Sequence, residues 1–315
     1  MRIKINRMIS LKRRDFLKYS ALLAASGSLG GCAFIEKHLH RNSHGEKCGS
    51  CVDPFAAPAP KAPAAPIVKN DEEIVKELMR DERVKSKYFS QNFPDDIYLS
   101  AENHLLVQGL VKKFRAVQRY VGHGNFNLLS VDNFYLFASS APNCEAVTMK
   151  EKLFMEELFY FDAHKYGFRG EKTAPALTDS IAKREVEKVP YSGHFLKREQ
   201  SLELFKKVQR DVGESLILTS GIRGVAKQFH LFLEKALETK GNLSKASRSL
   251  APPGYSFHYL GDFDVGKKNM GLRNFDQDFA QTDEFKRLVD LGYINIRYTQ
   301  SNTLGVRFEP WHLKV

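Results

Sequence analysis

Two short segments near the C-terminus bring together side chains able to hold a metal and to move a proton. In Ser256-Phe257-His258-Tyr259-Leu260-Gly261-Asp262-Phe263-Asp264, one imidazole and two carboxylates fall within seven residues, with Gly261 free to bend the backbone between them. Arg307-Phe308-Glu309-Pro310-Trp311-His312 adds a carboxylate and an imidazole three positions apart. Zinc takes imidazole nitrogen and carboxylate oxygen in a tetrahedral shell, and a catalytic site keeps one position for water. Two His and one Asp leave that position open, and a nearby carboxylate that is not a ligand is free to act as general base. Upstream, Leu216-Ile217-Leu218-Thr219-Ser220 reads as a buried strand, broken by Gly221-Ile222-Arg223-Gly224 before a helix over Val225 to Thr239. An Arg at such a turn can fork two donors onto a carboxylate, although alone it is as readily an ordinary ion-pair residue. Ser220 and Ser256 have no base at readable spacing, which leaves serine acyl chemistry the poorer alternative.

The elements that must position these residues read as an α+β fold, a small and mostly antiparallel sheet with helices. Strands are expected over Ile217 to Thr219, Ser256 to Val265, Ile294 to Tyr298 and Arg307 to His312. In a continuous strand residues 258, 262 and 264 share one face, so parity leaves both Asp262 and Asp264 available to a metal. Helical spacing appears over Asp71 to Arg83, Leu105 to Val121, Met149 to Tyr166, Leu202 to Arg210 and Asp283 to Asp290, the last stopped by Gly292. The aromatic stripe of Phe154, Phe159 and Phe161 is core packing, and the unpaired Cys144 is expected in the core as a small hydrophobe. His104, His123 and His230 lack a partner at ligand spacing. His194, in Tyr191-Ser192-Gly193-His194, stands where it could line a cleft. Asn274, Arg297 and Tyr298 lie between the two halves of the site as pocket residues rather than catalytic ones.

The chain has 315 residues, 43% hydrophobic and 27% charged, a globular composition. A mean hydropathy of -0.38 and one short apolar stretch near the N-terminus argue against several membrane spans. Of the net charge of +11, residues 1–31 contribute +6, seven Lys/Arg against Asp15, so the remainder is mildly basic at +5. No basic run outside this leader alternates with aromatics, which excludes nucleic acid as an expected partner. Lys12-Arg13-Arg14-Asp15-Phe16-Leu17-Lys18 resembles a twin-arginine export signal, and Leu29-Gly30-Gly31-Cys32 resembles a lipoprotein cleavage box that would lipidate Cys32. The expected organisation is a leader over 1–32, a Pro/Ala-rich tether over 33–70, a mainly helical extension over 71–190, and a catalytic domain over 191–315. Within the tether Cys48-Gly49-Ser50-Cys51 is a lone CxxC, which without a second pair is not a zinc pattern. The expected place is the periplasm, at a membrane through lipidated Cys32.

The order Ser-Gly-x-Arg, then Ser-x-His-x-x-Gly followed by Asp, then Glu-Pro-Trp-His resembles the VanY-type D-alanyl-D-alanine carboxypeptidases, over Tyr191 to Val315. The resemblance implies the hedgehog and DD-peptidase, or lysostaphin-like, fold and a zinc ion that assists hydrolysis of a peptidoglycan stem peptide. Carried over by position, it makes His258, Asp264 and His312 the metal ligands and Glu309 the base. Arg223 matches the Arg that faces substrate or oxyanion, and Ser256 and Gln228 fall at positions that touch substrate. His258 and Asp264 have five residues between them, one fewer than the family pattern, which leaves Asp262 as the alternative ligand. The same chemistry admits a murein endopeptidase, and the altered spacing admits a non-catalytic wall-binding module.

Overall fold

The computed structural model describes residues 71–315, which fall within one compact unit. The twin-arginine segment, Cys32, the tether and the Cys48/Cys51 pair lie outside the described residues. Among those described, no helix is long and apolar enough to cross a membrane.

The first half is helical: α1 (Asp71–Lys87), α2 (Ala101–Val121), α3 (His123–Phe126), α4 (Val131–Ala138) and α5 (Met149–Tyr160). A short hairpin follows, β1 (Val186–Lys188) with β2 (Phe195–Lys197), and then α6 (Ser201–Val212), β3 (Leu216–Ser220), α7 (Val225–Glu238) and α8 (Leu243–Ser247). The chain ends with β4 (Phe263–Lys267), α9 (Asp283–Asp290) and β5 (His312–Leu313). Local chemistry starts these helices. Ser100 Oγ caps α2 by accepting from Asn103 N at 3.1 Å. Thr148 and Glu151 form a capping box on α5, and the same Glu151 accepts from buried Lys113 Nζ at 2.6 Å, tying α5 to α2.

Two apolar cores result. Val107, Leu110, Val111, Phe114 and Val117 form the buried stripe of α2, and Val225, Ala226, Phe229, Phe232, Leu233 and Ala236 form that of α7. Both stripes belong to one core, with Phe114 stacked on Phe134 at 3.9 Å, so residues of the helical extension cover the apolar face of α7. The second core joins α6 and α9 to the sheet through Leu202, Phe205, Leu218, Phe263, Val265, Leu288, Trp311 and Leu313.

The fold is α+β. Its central sheet runs β3-β4-β5, antiparallel throughout, with Leu218 opposite Val265 and Asp264 opposite His312. Alternation along the strands explains the site: Phe263 and Val265 enter the core, as do Trp311 and Leu313, so Asp264 and His312 emerge together on the other face.

Several local expectations change. His258 does not lie in a strand that runs from Ser256 to Val265; it sits in a 3-10 turn (Phe257–Tyr259), and the strand begins only at Phe263. The amides of Tyr259, Leu260 and Gly261 are bonded locally, to Ser256 and Phe257, so they cannot join a ladder. The strand expected over Ile294 to Tyr298 reduces to a single bridge, Ile296 to Leu313, and that over Arg307 to His312 to its last residue. The helix expected to reach Tyr166 ends at Tyr160, followed by a separate 3-10 turn. Cys144 is partly rather than fully buried.

Candidate metal centre and cleft

Three elements converge on one point. Asp264 comes from β4, His312 from β5, and His258 from the 3-10 turn, and one ligand atom from each lies within 4.8 Å of the others. All three side chains are buried. The backbone bend between His258 and Asp264 falls at Gly261, whose φ of 128° suits glycine. Ser201 Oγ holds that bend by donating to the Gly261 carbonyl at 2.6 Å.

Each imidazole is oriented from behind. His258 Nδ1 lies 2.9 Å from the Gly221 carbonyl, so Nδ1–H donates and Nε2 faces Asp264 Oδ2 at 3.3 Å. His312 Nε2 lies 3.0 Å from Asp262 Oδ2, leaving Nδ1 toward Asp264 Oδ1 at 3.4 Å and Glu309 Oε2 at 3.6 Å. Asp262 is held in turn by Arg297, whose Nε and Nη2 donate to its two oxygens at 2.6 and 3.0 Å, and by the Val315 amide at 3.2 Å. Asp262 thus sits behind His312, while Asp264 faces both imidazoles.

The donor set fits a zinc ion. Asp264 Oδ2 stands 3.3 Å from His258 Nε2 and Oδ1 stands 3.4 Å from His312 Nδ1, and one ligand atom from each residue lies within 4.8 Å of the others, spacing that admits an ion about 2.0–2.1 Å from its ligands. Asp264 Oδ1 is buried with no hydrogen-bond partner, an acceptor that a cation would satisfy.

The electrostatics are those of a buried anionic pair of carboxylates facing cations. Burial opposes ionisation of Asp262, yet the bonds from His312 and Arg297 hold it down at about 2. Burial likewise opposes charge on His312, and the bonds to Asp262 and Glu309 with the charge of Asp264 override it, raising His312 to about 9. His258 is pushed down, by burial first and then by the Arg223 charge.

The cluster opens into a cleft of about 380 Å³ whose walls include His194, Ser220, Arg223, Ser256, Tyr298, Glu309 and Trp311. Arg223, at the turn between β3 and α7, donates to Ser220 Oγ at 3.0 Å and Gln228 Oε1 at 3.1 Å, with Nη2 3.7 Å from Asp264 Oδ2. Gln228 is spent on this contact and on the Ala251 carbonyl, and it does not line the cleft. Ser256 is buried on the cleft wall. Asn274 bonds the Lys267 backbone, outside the cleft. His230 pairs with Glu234 at 3.1 Å and His123 with Gln118 at 3.0 Å. Sequence reasoning did not find Asn127, whose side chain reaches His194; nothing in its local sequence marks it, and only the tertiary contact does.

The sheet thus presents a His/Asp/His cluster that could hold one metal ion, with Glu309 beside it and outside the cluster. Residues 196–315 match the VanY family model, described as D-alanyl-D-alanine carboxypeptidase. Among solved structures the chain is similar to the LdcB LD-carboxypeptidase at 23% identity, covering 41% of this chain and 62% of that one with a TM-score of 0.34. It is also similar to a vancomycin-resistance D,D-pentapeptidase VanY variant in complex with Zn(II), at 26% identity over 41% of this chain and 77% of that one, TM-score 0.33. A VanY in complex with D-alanine-D-alanine matches at 25% identity over 41% and 76%, TM-score 0.33. The chain therefore spans less than two thirds of the LdcB chain. No curated protein matches it.

Proposed function

We propose that the protein is a zinc-dependent D-alanyl-D-alanine carboxypeptidase that hydrolyses the terminal D-Ala-D-Ala bond of peptidoglycan stem peptides. The observation that supports this most is the placement of Glu309 Oε2 3.6 Å from Nδ1 of His312, beside the His258/Asp264/His312 cluster but outside it. His258, Asp264 and His312 would hold a zinc ion, which would supply Lewis acidity at the scissile carbonyl and a lowered pKa for the attacking water. Glu309 takes the proton of that water and hands it to the departing amine of D-alanine as the C–N bond breaks. Arg223, fixed by Ser220 and Gln228, presents its guanidinium to the oxyanion that develops on the carbonyl. Tyr298 and Trp311 add ring surface to the cleft wall and exclude water from the bound peptide. On its leader sequence the chain is exported by the twin-arginine route to the periplasm and held at a membrane through lipidated Cys32, which the mass of the mature N-terminal peptide tests.

Elemental analysis of the purified chain, with D-alanine release from a muropeptide pentapeptide, tests the activity. One zinc per chain is expected, with release by the parent and none by Glu309→Gln, which keeps its zinc. Zinc without D-alanine release, but with cleavage of cross-linked muropeptides, would make the protein an endopeptidase. A folded chain without zinc would make it a wall-binding module.

A further inference from the structure

His194 lines the same cleft as Arg223 and His258 but is no part of the ligand cluster. The hairpin β1–β2 turns through Val189–His194, and the tip is seated against α3 and the turn after β3. A side chain at Gly221 would run into the Phe195 carbonyl and stand against His194 Cβ, so glycine there lets the hairpin close on the site.

Asn127, at the C-terminal end of α3, governs the ring. Its Nδ2 lies 3.4 Å from the Gly193 carbonyl and 3.3 Å from His194 Nδ1. A carbonyl can only accept, so the amide nitrogen faces the hairpin and Nδ1 of His194 is an acceptor. The proton of a neutral ring is then on Nε2, an assignment made from the hydrogen bonds. Nε2 has no hydrogen-bond partner among the described residues. Burial, and then the Arg223 charge, push His194 down to about 4, so the ring is neutral at pH 7. The Asn127 carbonyl also accepts from Gly224 N at 2.7 Å, so this one residue of the helical extension braces both His194 and the turn that carries Arg223.

We propose that His194 is a substrate-binding residue, donating its Nε2–H to a carboxylate or carbonyl oxygen of the stem peptide, with Asn127 as the positioning residue that fixes its tautomer. This rests on the peptidase reading of the same cleft. A neutral imidazole polarises an oxygen without adding a positive charge next to Arg223.

The test uses zinc-loaded chain with matched zinc content. In the inert Glu309→Gln background, the affinity for a muropeptide pentapeptide is expected to fall roughly tenfold or more in His194→Phe, and by less in Asn127→Ala. His194→Gln, which keeps an N–H donor, recovers part of it. In the active background, a rise in KM marks the terminal carboxylate as acceptor and a fall in kcat marks the developing oxyanion. Unchanged Kd, KM and kcat in His194→Phe overturn the proposal. Imidazole 15N resonances supply a readout independent of activity: the Nε2–H tautomer is expected at pH 7, and an Nδ1–H tautomer or an imidazolium overturns it. A parent that binds the pentapeptide but releases no D-alanine fails the carboxypeptidase reading alone, and the Kd comparison still decides on His194. A parent that does not bind it overturns both.

Discussion

His312 and Asp262 are joined through the imidazole nitrogen that faces away from the ligand cluster, Nε2 to Oδ2 at 3.0 Å, in a carboxylate–imidazole arrangement completed by the fork of Arg297. The carboxylate raises the basicity of the ring and holds Nδ1 toward Asp264. Asp262→Asn is therefore expected to weaken zinc affinity about 10- to 100-fold with the fold retained. Competition against a chromophoric chelator reads this directly, and an unchanged Kd for zinc would remove Asp262 from the metal's support.

The same pairing makes metal uptake and protons compete. The ordinary histidine value of 6.5 rises to about 9 for His312, so in metal-free protein the ring is an imidazolium at pH 7. A metal ligand must be neutral, so zinc uptake at pH 7 is expected to expel close to one proton from this ring, and zinc affinity to climb until pH passes about 9. A raised folded pKa stabilises the fold fully below 6.5 and loses that contribution as pH rises through about 9. Thermal midpoints of chelator-treated protein should accordingly fall between those two values, while zinc-loaded protein holds its midpoint. Parallel curves for the two forms would contradict the assignment.

Arg223→Lys keeps the charge and loses the fork, because an ammonium cannot hold the Ser220 and Gln228 contacts while also facing substrate. A loss of about a hundredfold in kcat/KM is expected, the lower end of what one oxyanion donor is worth. Zinc content should not change; a loss of zinc instead would mean that the charge near Asp264 matters more than the donors.

The shared core predicts that the C-terminal segment does not stand alone. A fragment of residues 191–315 would expose the Phe229, Phe232 and Leu233 face of α7, which α2, α4 and α5 cover in the whole chain. Such a fragment is expected to lack near-UV ellipticity and a cooperative melt. Within the intact chain, Phe229→Ala should cost about 3–5 kcal/mol by chemical denaturation.

Much of this was legible in sequence where local chemistry decides it. The helix α9 (Asp283–Asp290) matches its expected bounds because Thr282 Oγ1 caps its start and Gly292 follows its end. The run Leu216 to Ser220 was readable as a strand because apolar content and the glycine after it agree. The remainder depends on contacts between distant segments. Parity along an expected strand left Asp262 and Asp264 equivalent, whereas the fold separates them by turning at Gly261 and setting Asp264 opposite His312. Residues 294–298 carry an apolar pattern but form one bridge: Arg297 N donates to the His312 carbonyl and Lys314 N to the Asn295 carbonyl around it, and beyond it the Tyr298 carbonyl accepts from Glu309 N instead. Asn127 carries no motif at all, and its two jobs appear only when α3 meets the hairpin.

The strand β5 is only two residues long, His312 and Leu313, and one of the two belongs to the candidate metal cluster. So short a ladder has little cooperativity of its own, and its persistence rests on what grips its side chains. Amide exchange at the C-terminus should therefore report on the metal: slow while His258, Asp264 and His312 are clasped together, and fast once the clasp opens. Loss of a bound ion and opening of β5 would then be a single event.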